Sequence, residues 1–477
     1  MPFLHVTLLL MDMYMYICRC LTRPFECFHW TCPTFIFQFD HVPQETLTAL
    51  VPLISFAYSS EVRSTASQAA AAVYNCSCQQ GDTDTAQHFL PILVTAMVQQ
   101  LPKEDESDPE ARFAIADSAS DVLYYTYRQV PTNPTIVSKY NGTTVESTTQ
   151  VLVSLMDSCL KRRAVIIQKM NGPTVNQDDL VGYEQSLKSE HELLTPLVDS
   201  VGYTLKFQKN AYVPVFDRLV APVLGPFLVN PSDPRGLFAA LCLFDDVVEH
   251  CGPDAASKYA GQLLQGILVG IEVGSRIDES DIVQVALYGI AQIARYGPVS
   301  ALTSPSVTNG GTGLIDLVLP FATASKNESD SLFVIENAVS ALASMTLIGN
   351  SPLKTVAPTN GLDIFLAQLP LREDEDEAKI CHAGLCELIE SNKIDITKHF
   401  QVLMRIFGDL LSCVADGEDL LTDDTQVRLG NILSALQQRV PPNTMEKAFQ
   451  VLSPDAQGSI HEFLQAYSHS GVHVATH

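Results

Sequence analysis

The residues best suited to chemistry are carboxylates, which form one cluster near the middle of the chain and a second further along. The two clusters are Asp245, Asp246 and Glu249, and Glu373, Asp374, Asp376 and Glu377. Paired carboxylates can perform acid–base catalysis, but adjacent carboxylates on a helix point in different directions. The second cluster is also predicted to occupy the first turn of a helix, where the helix dipole alone explains it. We therefore predict no catalytic residue in either cluster.

Metal-binding and redox patterns are also incomplete. His191-Glu192 opens a metalloprotease-like motif, but Thr195 stands where the second histidine would be needed. A group near the start of the chain lacks the paired spacing of structural zinc sites, namely Cys18, Cys20, Cys27, His29 and Cys32. The twelve cysteines are scattered through apolar patterns and are predicted to be reduced core thiols. We predict no metal and no cofactor.

Helices must position the carboxylates, and the first cluster lies in an amphipathic segment, Asp233–Pro253. Apolar residues at three-and-four spacing form one stripe along it, made of Leu237, Ala240, Leu241, Phe244, Val247, Val248 and Cys251. Asp245, Asp246 and Glu249 lie off this stripe. They are therefore predicted to face away from the packed side of the helix.

Similar helices return about every 45 to 50 residues, and each follows another apolar helix that ends near a proline or glycine. The next two stripes are Ile282, Val285, Ala286, Gly289, Ile290 and Ile293, and Leu332, Ile335, Val339, Leu342 and Ala343. Two helices per period of this length is typical of HEAT repeats. The predicted fold is an all-α HEAT-repeat α-α superhelix, with about nine helical pairs in residues 44–477.

Composition narrows the class of partner. The chain has 477 residues and a formal net charge of −25, which disfavours nucleic acid because phosphate binding needs a surplus of lysine and arginine. A basic protein segment is the natural complement to an acidic surface. Phe3–Ile17 is apolar, but it has no preceding basic region and contains Asp12, so we predict no signal peptide and no membrane partner. Residues 1–43 are expected to be an extension, either disordered or an artefact of the gene model.

Several segments resemble a known family, and they occur in that family's order. They are Cys242–Cys251 (CLFDDVVEHC), Ala286–Gly297 (ALYGIAQIARYG), Leu369–Ala378 (LPLREDEDEA), Glu390–Asn392 (ESN) and Leu452–Asp455 (LSPD). Together they resemble the C-terminal half of the karyopherin-β nuclear import receptors, most closely the importin β-3 group. The resemblance covers about Gln44 to Tyr467 and is strongest from Tyr212 to Asn392.

The resemblance implies a non-enzymatic carrier that shuttles between cytoplasm and nucleus through the nuclear pore. Such a carrier binds basic cargo on its inner surface and phenylalanine–glycine repeats of nucleoporins on its outer surface, and it releases cargo to the GTP-bound form of Ran. From charge and position, the seven carboxylates of the two clusters are candidates for contact with cargo.

Family members are about twice as long, and their principal Ran-binding repeats lie in the N-terminal part that this sequence lacks. The chain is therefore expected to be a C-terminal fragment, for which Ran binding is doubtful. The alternative to a carrier is a HEAT-repeat scaffold or regulatory subunit of a protein complex.

Overall fold

The protein is helical throughout the part of the chain that the computed structural model describes, residues 44–172, 176–304, 312–326 and 331–469. These residues contain no strand. They divide into two compact units, with the boundary between Phe207 and Gln208. The N-terminal extension, with its group of cysteines and His29, lies outside the described residues.

The described part of the first unit contains six α-helices, which form consecutive pairs. They are α1 (Gln44–Ile54), α2 (Ser60–Gln79), α3 (Thr83–Gln100), α4 (Pro109–Gln129), α5 (Gly142–Met170) and α6 (Gln177–Gln208). The acidic linker before α4 caps that helix, because a side-chain oxygen of Asp108 accepts a hydrogen bond of 3.1 Å from the backbone N–H of Ala111. Pro109, with no N–H of its own, occupies the first helical position.

The second unit begins with a short turn, Val213–Val215, and a π-helical turn, Phe216–Val220, and continues as paired helices. These are α7 (Ala221–Val229), α8 (Pro234–His250), α9 (Pro253–Ile277), α10 (Ser280–Tyr296), α11 (Thr312–Ala322), α12 (Leu332–Thr346), α13 (Gly361–Gln368), α14 (Glu375–Glu390), α15 (Ile396–Ala415), α16 (Asp423–Arg439), α17 (Pro442–Gln450) and α18 (Pro454–His469). The second helices of successive pairs, α8, α10, α12, α14 and α16, each pack against the next. This stacking is the nearest-neighbour arrangement expected of a repeat array.

The predicted apolar stripe of α8 is buried from Leu237 to Cys251. The prediction that its acidic residues face away from the packed side is wrong for two of them, since Asp245 is 1% exposed and Asp246 is 8% exposed. The reason is that α8 packs against three helices, α7, α9 and α10. More of its circumference is therefore buried than the single apolar stripe predicts. In the second cluster Glu377 is likewise buried, at 1% exposure.

One apolar stretch, Gln177–Val229, is long and apolar enough to cross a membrane by the criteria of length and composition. Core helices of soluble helical proteins meet the same criteria. The eight described cysteines are free thiols, and all except Cys242 are buried.

Candidate functional site

The structure brings the two predicted carboxylate clusters to one set of stacked helices, α8, α10, α12 and α14. The hydroxyl of Tyr288, on α10, donates a hydrogen bond of 2.6 Å to Glu249 on α8. Burial raises the pKa of Tyr288, and the charges of Glu249, Glu377 and Asp246 raise it further. Carboxylates of both clusters are therefore within electrostatic reach of one tyrosine. We call this polar strip, from Asp245 through Tyr288 and Arg295 to Glu377, the acidic seam.

Glu377 forms the centre of the seam as a buried ion pair with Arg295. The guanidinium donates two parallel hydrogen bonds to the carboxylate, Nη1 to Oε1 at 2.7 Å and Nη2 to Oε2 at 2.5 Å. Ser340 on α12 donates to the same carboxylate, and Arg295 Nε donates to Ser344 Oγ at 3.0 Å. These bonds join α10, α12 and α14. Glu377 therefore has a structural role, and its carboxylate is not exposed to a partner.

Asp374 and Glu336 fix the segment that leads into α14. Asp374 caps that helix by accepting from the backbone N–H of Glu377 at 3.1 Å, and Asn337 donates to its other oxygen at 3.0 Å. Burial, and then the charge of Glu377, raise the pKa of Asp374 to about 6. Glu336, on α12, accepts three backbone hydrogen bonds of 2.8 to 3.1 Å from residues 372–374. Sequence reasoning missed Glu336, whose only signal is a single carboxylate within an apolar helix.

Asp245 occupies a buried position, and neither of its carboxyl oxygens has a hydrogen-bond partner among the described residues. It fits because α10 has Gly289 opposite, where a Cβ would lie 2.4 Å from Oδ1. Burial raises the pKa of Asp245 well above its usual value, and the charges of Asp246 and Glu249 add to the shift. The Asp245 carboxyl is thus held toward its neutral form, which is unsuited to contact with a basic partner.

The carboxylates of the two clusters that reach solvent are fewer than the sequence suggested. Glu373 and Asp376 are exposed, and the side chain of Glu249 is 18% exposed. Tyr296, 44% exposed, lies close enough to Glu249 that the carboxylate adds to the effect of burial in raising the pKa of the phenol. An exposed ring beside a carboxylate suits a lysine or arginine side chain, through cation–π and ionic contacts. No cluster of metal-ligating residues occurs within the described ranges.

No protein-family model matches the sequence. Solved structures of the karyopherin Kap121p are similar to the chain over 88% of its length. With the Pho4p complex the TM-score is 0.60 at 14% identity, and with the Nup53p complex it is 0.61 at 13% identity. The complex with the extreme C-terminus of the phosphatase Cdc14p gives 0.60 at 15% identity.

The chain spans only 34% of the length of these Kap121p chains. At such identity the likeness concerns the fold alone, and it confirms the predicted fold class. The protein has the fold of a karyopherin-like HEAT-repeat solenoid.

Proposed function

We propose that the chain is a nuclear transport receptor of the importin-β type, which binds basic cargo segments and nucleoporins and moves between cytoplasm and nucleus. The proposal is supported by the karyopherin-like fold and by the net charge of −25. The single observation that carries it is the acidic seam, where Glu249 lies beside two tyrosines on stacked helices. The proposed activity is binding without catalysis.

The contact that we propose uses the accessible part of the seam. A lysine or arginine of the cargo would lie against the ring of Tyr296 and pair with Glu249. Glu373 and Asp376, at the start of α14, add negative charge for other basic residues of the same segment. Because these carboxylates are near the surface, the association should be fast and should weaken as salt is added. Asp245, Asp246 and Glu377 take no direct part.

The test is the binding of a fluorescent lysine- and arginine-rich peptide to the whole chain, measured by anisotropy at several salt concentrations. Glu373→Ser combined with Asp376→Ser should weaken binding about three- to tenfold, since each of the two solvent-exposed charge pairs is worth roughly 0.3 to 0.7 kcal/mol. Asp423→Ser with Asp455→Ser is the matched control, because it removes two exposed carboxylates from other helix starts in the same unit. Equal losses in both double variants would show that only net charge matters and would refute a seam-specific site.

Nucleoporin binding distinguishes the carrier from a HEAT-repeat scaffold or regulatory subunit. Kap121p is seen bound to Nup53p, and the carrier proposal extends nucleoporin binding to this chain. The chain should then be retained on immobilised phenylalanine–glycine repeats at physiological salt, while a scaffold should pass through. Ran binding is a separate part of the family expectation, and gel filtration with GTP-loaded Ran tests it independently of cargo.

A further inference from the structure

The first unit contains a polar cleft that the proposed transport function does not use. The cleft has a volume of about 320 Å³ and lies between the start of α4 and one face of α6. The side that precedes and begins α4 presents Ser107 and Arg112, and the side from α6 presents Gly182, Gln185, Ser189 and Glu190. Its walls are therefore mainly hydrogen-bonding groups.

The cleft exists because small residues follow one another along one face of α6. Gly182, Ser186 and Ser189 are spaced by four and three residues, so they share that face. A Cβ at Gly182 would meet no other atom within 4 Å. The space over this face is thus open, and a larger side chain at position 182 would extend into it without displacing the core.

Arg112 is the charged group of the cleft that has no hydrogen-bond partner among the residues that the structure describes. It is only 5% exposed, yet its guanidinium makes no hydrogen bond to any residue within the described parts of the chain. Because Arg112 lines the cleft, its N–H groups are available there to a ligand or to water, which must accept from them in place of the protein. Its five N–H donors in a planar fork match the geometry of a carboxylate.

Glu190, an acidic residue of the same cleft, is already engaged elsewhere. Glu190 accepts from Arg162 at both oxygens, Nε to Oε1 at 2.5 Å and Nη2 to Oε2 at 2.9 Å. Arg162 Nη1 also donates a hydrogen bond of 3.1 Å to Glu106 Oε1. Arg112 contributes to the electrostatic field at Glu190 without a hydrogen bond to it. Arg162 therefore donates to two carboxylates, whereas Arg112 donates to none in the part of the chain that the structure describes.

We propose that this cleft binds a carboxylate of an extended peptide segment from a partner protein, with Arg112 as the bidentate donor. A carboxylate fits better than a phosphate, because Glu106 and Glu190 line the same cleft and repel a dianion more strongly than a monoanion. The N-terminal end of α4, a helix of 21 residues, adds a favourable field for an anion. Gln185 and Ser189, which have no hydrogen bonds to described residues, are available for the peptide groups on either side.

The carboxylate can come from an aspartate or glutamate side chain or from a chain terminus, and two probes separate these sources. One is acetyl-Gly-Gly-Asp-Gly-Gly-amide and the other is acetyl-pentaglycine with a free C-terminus. Acetyl-Gly-Gly-Asn-Gly-Gly-amide and inorganic phosphate are the comparison ligands. Binding to the whole chain is followed by the NMR signal of the arginine Nε–H group of Arg112, assigned as the signal lost in Arg112→Lys.

The structure predicts that at least one carboxylate probe shifts the Arg112 signal in a saturable way, more tightly than the asparagine peptide or phosphate. Gly182→Leu, which fills the cleft, should weaken this binding at least tenfold. Gly261→Leu is the matched control, since it makes the same change at an exposed glycine of α9 with open space around it, and it should leave binding unchanged. Because Gly182→Leu removes a helical glycine from an exposed position, it should fold well even if Arg112→Lys does not.

Three results would overturn the proposal. They are binding of the asparagine peptide as tight as that of the aspartate peptide, tighter binding of phosphate than of either carboxylate, and full binding in Gly182→Leu. None of them bears on the basic-cargo test at the acidic seam, so the two proposals fail separately.

Discussion

Replacement of Asp245 by asparagine is expected to make the stability of the second unit less dependent on pH, because the fall in stability with rising pH that ionisation of Asp245 causes is removed. The carboxyl is fully enclosed, neither oxygen accepts a hydrogen bond, and it packs directly on α10 where Gly289 leaves room. Asparagine has nearly the same shape, so Asp245→Asn keeps the packing and removes the ionisable group. What it relieves is the free-energy cost of keeping an acid neutral inside the fold.

Whether the free energy of unfolding rises or falls with pH follows from the direction in which folding shifts the pKa of Asp245. Burial, with the charges of Asp246 and Glu249, raises the pKa of Asp245 in the folded state well above its unfolded value of about 3.9. The stability that this group contributes is complete below the unfolded pKa and is lost as pH rises through the folded pKa. The free energy of unfolding should therefore fall by up to about 1.4 kcal/mol per pH unit in that window.

Two opposing contributions set the difference in the free energy of unfolding between Asp245→Asn and the wild type. Over two pH units the Asn variant gains up to about 2.7 kcal/mol relative to the wild type. Its unpaired amide N–H groups cost about 1 to 3 kcal/mol at any pH, because they too are buried without partners. The pH dependence of the difference, rather than its absolute value, is therefore the diagnostic quantity. Asp374 and His382 also titrate in the folded protein, but they are common to both proteins and cancel in the difference.

The measurement is urea unfolding of the whole chain by circular dichroism from pH 5 to pH 8, with amide hydrogen exchange of α8 and α10 as the local probe. Asp455→Asn, at an exposed residue of α18, is the control and should give a curve parallel to that of the wild type. If Asp245→Asn also runs parallel to the wild type, the inference that Asp245 is held neutral is refuted.

Three other substitutions test the packing of the second unit. Glu377→Gln leaves Arg295 buried without its counter-charge and should lower the free energy of unfolding by about 3 to 5 kcal/mol, measured by the urea midpoint. Gly289→Ala places a Cβ 2.4 Å from Oδ1 of Asp245 and should cost about 1 to 3 kcal/mol, with a smaller cost in an Asp245→Ala background. Burial lowers the pKa of His382 to about 4. The stability that this histidine contributes is therefore complete above pH 6.5 and is lost as pH falls towards 4. His382→Gln should flatten the acid side of a plot of the free energy of unfolding against pH.

The helices could be predicted from sequence because their signals are local. Apolar residues at three-and-four spacing mark α8 and α10, and proline, glycine and acidic residues mark their ends. The predicted amphipathic segment Asp233–Pro253 contains the helix Pro234–His250, with Asp233 as its N-cap. The boundary between the two units after Phe207 gives no such signal, because it depends on which helices pack together and not on any one helix.

The acidic seam could not be read from the sequence, for two physical reasons. A periodic stripe assigns one buried face to a helix, whereas a helix inside an array is packed from several sides, so that 11 of the 17 residues of α8 are buried. The second reason is that the partners are distant along the chain, as Arg295 and Glu377 are separated by 82 residues. Charge pattern alone therefore treats Asp245, Glu249 and Glu377 alike. In the structure, burial raises the pKa of Asp245, the side chain of Glu249 is partly accessible, and Glu377 forms an ion pair with Arg295.

This distinction changes which experiments address cargo binding. Substitution of Asp245 or Glu377 alters the packing of α10, so a loss of cargo binding in those variants would report on folding as much as on contact. Glu249 accepts a hydrogen bond from Tyr288 on α10. Its substitution would therefore also disturb the packing of α10, although less than substitution of Asp245 or Glu377. Of the seven carboxylates predicted from the sequence, Glu373 and Asp376 are the two that are exposed at the start of α14. If they prove as neutral to binding as the control pair, basic cargo does not bind at this seam, whatever the substitution of the buried acids shows.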